Sequence, residues 1–170
     1  MSSDIIINKV QQSGLITIDL EEYYHAGEKV LFDIKDYLYE GIILKEKDFR
    51  TFLKEHIWEQ YSGKNVAITC SVDAIIPTWA YMLVATKLKP VANLTIFGTL
   101  KDLHTKIFSE AIAQINASDY AQSKVVIKGC GKLEVPVSAY VELTNKLLPV
   151  VSSIMYGEPC STVPVYKQLK

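Results

Sequence analysis

The chain has 170 residues, 49% of them hydrophobic, which is enough to bury one well-formed core and short for two. Its formal net charge is -1, so no surplus of Lys and Arg is available to neutralise a phosphate backbone, and general nucleic-acid binding is excluded as a first expectation. Met1 to Ile7 lacks the basic flank and long apolar core of a secretory leader, and the most apolar run, Ala74 to Thr86, is too short to span a bilayer, so no membrane segment and a cytoplasmic location are expected.

In chain order, residues 1–14 read as a loosely ordered arm with one edge strand at Ile5 to Ile7, and residues 15–170 as a single domain. Leu15 to Asp19 alternates and is rich in β-branched residues, which predicts a strand. Glu28 to Glu40 places Val30, Leu31, Ile34, Tyr37 and Leu38 at helical spacing, with Gly41 as its stop. Lys45 to Gln60 predicts a second helix, its stripe Phe49, Phe52, Leu53 and Ile57 facing inward and its charges forming a solvated face.

From Ser62 onward short strands alternate with helices. Strands are expected at Val66 to Thr69, Leu94 to Phe97, Val125 to Lys128 and Ser153 to Tyr156, and helices at Ile75 to Leu88, Leu100 to Asn116 and Ser138 to Leu148. This order predicts an α/β fold, a single three-layer domain with a mostly parallel four- or five-stranded sheet and right-handed crossovers. No internal repeat is evident, and Pro159 to Lys170 reads as an extended tail lying on the domain.

In a parallel α/β sheet ligands bind beyond the carboxyl ends of the strands. Cys70 ends the first of these strands, Cys130 follows the third between Gly129 and Gly131, and Cys160 follows the fourth. If the strands are parallel, the three thiols leave the sheet on one edge. Such thiolates suit zinc, copper(I) or an iron–sulfur cluster, with Asp73, Glu158, His104 or water completing the shell. Two other readings stand beside this one. Free cysteine often packs as a small hydrophobe, which would make the protein a non-enzymatic interaction module. Alternatively, Cys70 between a strand and a helix would be an activated thiol, paired in space with His25, His56 or His104.

Several familiar chemistries are absent. Residue 76 is Ile76, so Cys70 does not begin a Cys-x5-Arg phosphate loop, and no second thiol at residue 73 makes a thioredoxin couple. Neither a dinucleotide fingerprint nor a P-loop follows any strand. Asp73 reads equally as the cap of the next helix. Trp79, Tyr81 and Met82 read as core, Tyr23, Tyr24 and His25 as an aromatic cluster, and Tyr37, Leu38 and Trp58 as a candidate dimer contact.

The blocks Val66 to Tyr81, Val126 to Cys130 and Tyr156 to Pro164 carry a resemblance to a bacterial family catalogued as a domain of unknown function, extending over about residues 16–167. The resemblance supplies no activity. It implies an association with genes of the SUF iron–sulfur assembly system, and hence iron–sulfur assembly proteins as partners.

Overall fold

The computed structural model describes residues 14–24, 27–129 and 131–169. The expected edge strand at Ile5 to Ile7 lies outside them. Seven strands are found among the described residues: β1 Leu15–Asp19, β2 Lys29–Asp33, β3 Asn65–Thr69, β4 Leu94–Phe97, β5 Lys124–Lys128, β6 Ser153–Glu158 and β7 Ser161–Lys167. Four α-helices accompany them: α1 Glu46–Glu55, α2 Thr78–Leu88, α3 Leu100–Gln114 and α4 Val137–Leu147. The mixed α/β class is as the sequence predicts. A mostly parallel four-stranded sheet, ordered β1-β5-β6-β7, is present, and a second sheet, β2-β3-β4, is wholly parallel. The four strand candidates read from the sequence are therefore divided between two sheets.

The chain divides into two compact units. The first comprises Met1–His25 with Ile107–Lys170, and the second comprises Ala26–Lys106. The second unit is thus inserted into the first.

In the second unit β3 is central, and Asn65 to Ile68 are all buried. On one face Phe32, Val66 and Ile68 pack with Phe49 and Leu53 of α1, Trp58, Tyr61, and Ala80, Val84 and Leu88 of α2. The expected helix over Glu28 to Glu40 is instead β2 followed by a 3-10 turn at Ile34–Tyr37. Phe32 is buried while Leu31 is exposed, an alternation that pairing with β3 rewards, and the Asp33 carboxylate accepts the Lys35 N–H at 3.0 Å to begin the turn. The helical spacing of Ile34, Tyr37 and Leu38 is real but belongs to that single turn. Gly41, at φ +74, lies in a tight loop closed by Tyr39 and Ile43 and ends no helix.

Helix α1 also stops earlier than expected. The Trp58 indole N–H donates to the Leu53 carbonyl at 3.0 Å, satisfying an acceptor that the helix end leaves open, and Trp58–Tyr61 then forms its own 3-10 turn. Trp58 is buried by this, and Tyr37 and Leu38, read from the sequence with it as a candidate dimer contact, are partly buried against the same core.

In the first unit Ile18, Val125, Ile127 and Ile154 face Phe108 and Ile112 of α3 and Ala139, Leu143 and Leu147 of α4. The tail, expected to lie extended on the domain, forms β7, antiparallel to β6.

The two units are built on one pattern, contrary to the sequence reading that finds no repeat. With one constant shift and no gap, Phe49 corresponds to Phe108, Tyr61 to Tyr120, Val66 to Val125, Pro77 to Pro136, Tyr81 to Tyr140, Leu88 to Leu147 and Gly98 to Gly157. A second shift relates Asp33-Ile34-Lys35-Asp36-Tyr37 to Asp19-Leu20-Glu21-Glu22-Tyr23. Strand pairing follows the same correspondence: Lys29, Asn65 and Leu94 lie side by side in one sheet, and Leu15, Lys124 and Ser153 in the other.

Even backbone irregularities match. The Gly63 N–H donates to Val91 at 2.9 Å with φ +69, and the corresponding Gln122 N–H donates to Val150 at 2.7 Å with φ +58. A left-handed conformation costs a side-chain-bearing residue about 1–2 kcal/mol. Gln122→Gly is accordingly expected to stabilise the protein by about 0.5–1 kcal/mol, after the larger entropy loss of glycine is allowed for. Urea denaturation of the variant measures this, and a loss of stability would contradict it.

Candidate functional site

Both sheets present the ends of their parallel strands to loops rich in polar groups, and the two edges differ in chemistry. In the first unit, Asp19 and Lys128 end the paired strands β1 and β5, and their side chains meet at 3.0 Å. Lys128 also reaches Glu158 on β6 at 3.7 Å. The Asp19 hydrogen bond and charge hold the ammonium above the usual lysine range, with Glu158 adding to the effect. Three strands are tied together at one edge by this cation.

Beyond β5 the loop is held by Glu21. Its carboxylate accepts the N–H groups of Gly131, of Lys132 at 3.1 Å and of Leu133 at 3.3 Å, so three successive amides surround one anion. Gly129 and Gly131 flank Cys130 in this loop. The close neighbours are internal: a Cβ at Gly131 would lie 2.7 Å from the Glu21 carboxylate, and one at Gly129 would lie 2.7 Å from the Tyr140 hydroxyl. That hydroxyl donates to the Gly129 carbonyl at 3.1 Å. Cys130, between them, lies outside the described residues.

Glu158 pairs with Ser161, so Pro159 and Cys160 are the two residues of the β6–β7 hairpin turn, and Cys160 is exposed. Gly157, at φ +112, enters this turn with no room for a side chain, since a Cβ would sit 2.8 Å from the Ser161 carbonyl oxygen.

At the corresponding edge of the second unit the ion triad is replaced. Asp33 occupies the place of Asp19, but its neighbour on β3 is Thr69 and no lysine meets it there. Its carboxylate accepts N–H groups from Lys35 at 3.0 Å and Ser71 at 3.1 Å, and the Lys35 ammonium lies 3.5 Å away. Burial works to raise its pKa, but the Ser71 and Lys35 hydrogen bonds and the Lys35 charge outweigh burial and hold it below the usual carboxylate value.

Cys70 is half-buried beside this group, and its thiol donates to the Val72 carbonyl at 3.7 Å. Tyr81 lies near both, its phenol pushed up by burial and then by the Cys70 and Asp33 charges. The helix after Cys70 begins only at Thr78, with Pro77 in the cap position, so Cys70 does not sit on the helix N-terminus that an activated thiol was expected to use. Asp73 is exposed in the intervening loop and caps nothing.

The remaining candidates are accounted for locally. His56 stands among Phe52, Trp58 and Tyr61, with its ring bonded to the Tyr61 hydroxyl at 3.2 Å and its pKa lowered by burial. The His104 ring nitrogen lies 3.2 Å from the Lys29 ammonium. Tyr24 lies at 4.9 Å from Phe108 in a tilted arrangement, and Tyr23 meets the Tyr120 hydroxyl at 3.3 Å, so both are partly buried against the core of the first unit. His25 is outside the described residues. Trp79 and Tyr81 pack on the core as expected, whereas Met82 is 63% exposed.

Cys70 thus leaves the sheet of the second unit, while Cys160 belongs to that of the first. The correspondence between units also shifts the cysteines: Cys70 corresponds to Gly129, one residue before Cys130. Among the described residues no three His, Cys, Asp or Glu side chains converge as a metal site. No helix among them is long and apolar enough to cross a membrane. The sequence reading missed the Asp19–Lys128–Glu158 triad and the Glu21 clamp. The shared Asp-Leu/Ile-x-x-Tyr segment of the two units was the signal that could have found the aspartate position.

Fold and edge chemistry together define an α/β protein of two corresponding units, one inserted into the other, with polar and thiol-bearing loops at the strand ends. Over residues 4–168 the chain matches the model of the family described as protein of unknown function (DUF2480), and it belongs to that family. Neither a curated protein nor a solved structure matches it.

Proposed function

We propose that the protein is an accessory protein that binds a soft metal ion or an iron–sulfur cluster through the strand-end loops of the first unit, in the service of cluster assembly. The supporting observation is the Lys128–Glu158 contact between adjacent parallel strands. Cys130 and Cys160 each follow one member of that pair by two residues in sequence. In this reading both thiolates ligate, and Glu158 supplies an oxygen donor, a set that suits zinc or a cluster better than magnesium or calcium. Because no complete ligand group forms among the described residues, the site depends on Cys130. Cys70 and Asp73 are the candidate ligands of the second unit.

Protein purified without oxygen is expected to contain zinc, or iron with sulfide and visible absorption. Cys130→Ser and Cys160→Ser should each lose most of it. Colourless, metal-free protein that also resists reconstitution overturns the reading. The alternative of an interaction module with structural cysteines is favoured by one specific feature of the second unit, the apolar side chains of Ile75, Met82 and Phe97, which are 93%, 63% and 70% exposed.

A further inference from the structure

The correspondence between the units makes one difference between their sheets informative. β6 of the first unit is covered along its outer edge by β7, which runs antiparallel to it from Ser161 to Lys167. β4 occupies the same place in the second unit, and among the described residues no strand pairs with its outer edge. We infer that this edge is a self-association surface, on which β4 of a second copy of this chain pairs antiparallel about a two-fold axis.

Backbone directions support the geometry. The Gly98 N–H donates to Ile68 on β3 at 3.0 Å, so it points into the sheet. Successive residues of a strand point their N–H and C=O groups to opposite sides, which turns Thr95 and Phe97 outward. Their counterparts Ile154 and Tyr156 are residues that pair with β7, opposite Tyr166 and Val163. Centred on Ile96, an antiparallel pair of β4 strands sets Thr95 of each copy against Phe97 of the other. Each such pair exchanges both hydrogen bonds, so all four outward N–H groups are satisfied and the contact closes on itself.

The composition of the edge points the same way. Exposed edge strands are usually protected by charge, lysine or proline. β7 carries Pro164 and Lys167, β2 carries Lys29 and Asp33, and β1 carries Asp19, whereas Leu94-Thr95-Ile96-Phe97 carries none of these. A partner of opposite charge has nothing to recognise here, and a second β4 meets no like-charge repulsion. Phe97, 70% exposed beside Tyr81 at a ring distance of 5.1 Å, would be covered by the neighbouring strand much as Val163 lies against Tyr156.

The test is the solution mass of the full chain, by sedimentation or light scattering over a concentration series. Twice the monomer mass at high concentration is expected. Thr95→Pro removes an outward N–H without touching the β3 ladder, a position where an edge strand tolerates proline, and should halve the mass with an unchanged circular dichroism spectrum. Phe97→Lys, which adds the missing charge, should do the same. Amide exchange of the wild type provides a readout independent of any variant, with protection of Thr95 and Phe97 rising with concentration. A wild-type monomer at every concentration overturns the inference, as does a dimer that survives both substitutions or rapid exchange at these two amides in the dimer.

Discussion

Truncating Phe49 or Phe108 to alanine is expected to cost about 3–5 kcal/mol in either case, the largest loss that any single core substitution here should produce. The two rings hold corresponding positions in the two units, and each is 1% exposed. Phe49 lies among Tyr37, Phe52 and Trp79, with ring centroids 6.1 to 6.4 Å away, and Phe108 lies 4.9 Å from Tyr24. Rings already in mutual contact cannot collapse fully into the space a phenyl group leaves, so a cavity adds to the lost burial. Urea denaturation followed by circular dichroism gives the difference. A loss below about 1 kcal/mol for either variant would mean that its ring is not at the centre of its unit, since surface substitutions fall in that range.

The second large effect is expected at Asp33. Asp33→Ala leaves the Lys35 and Ser71 amides without their acceptor, which should cost about 1–3 kcal/mol. Asp33→Asn adds a pH dependence whose sign follows from the lowered carboxylate pKa. The folded protein holds the charged form better than the unfolded chain, where the value is 3.8. The stabilisation is therefore complete above that value and disappears as pH falls through the lower, folded value. Wild type should exceed Asp33→Asn in stability at pH 7, and the gap should narrow below about pH 4. A gap that widens on acidification would reverse the assignment.

Much of the fold was legible because its central strands are continuous apolar runs between polar punctuation. Val66 to Thr69 and Val125 to Lys128 could hardly be anything but buried strands, and their helices follow at the length that parallel crossovers require. β2 was misread because Val30, Leu31, Ile34 and Tyr37 satisfy a helical period by accident, and only pairing with β3 decides between the two periods. The grouping of strands into two sheets depends on which strands meet, and no local pattern carries that. The duplication was present in the residues all along. It escaped notice because its members are mostly substitutions among apolar residues, such as Leu53 for Ile112 and Val84 for Leu143, and because the first segment follows a different shift from the rest.

The site was legible only in outline. Cys70 and Cys160 stand just beyond the ends of β3 and β6, where the sequence placed them. The Lys128 triad and the Glu21 clamp join residues far apart in sequence. Each looks like an ordinary surface charge until β1 is laid beside β5.

The insertion of one unit within the other also bears on how the chain is made. Residues 26–106 are contiguous, so β2, β3 and β4 can assemble as soon as that stretch has left the ribosome. β1 is synthesised before all of them, yet its partner begins only at Lys124. Until then it is an unsatisfied strand of alternating apolar residues, waiting through the synthesis of a whole intervening unit. Long-range parallel closure of this kind is slow, and this delayed pairing is the step at which newly made chains are most exposed to aggregation.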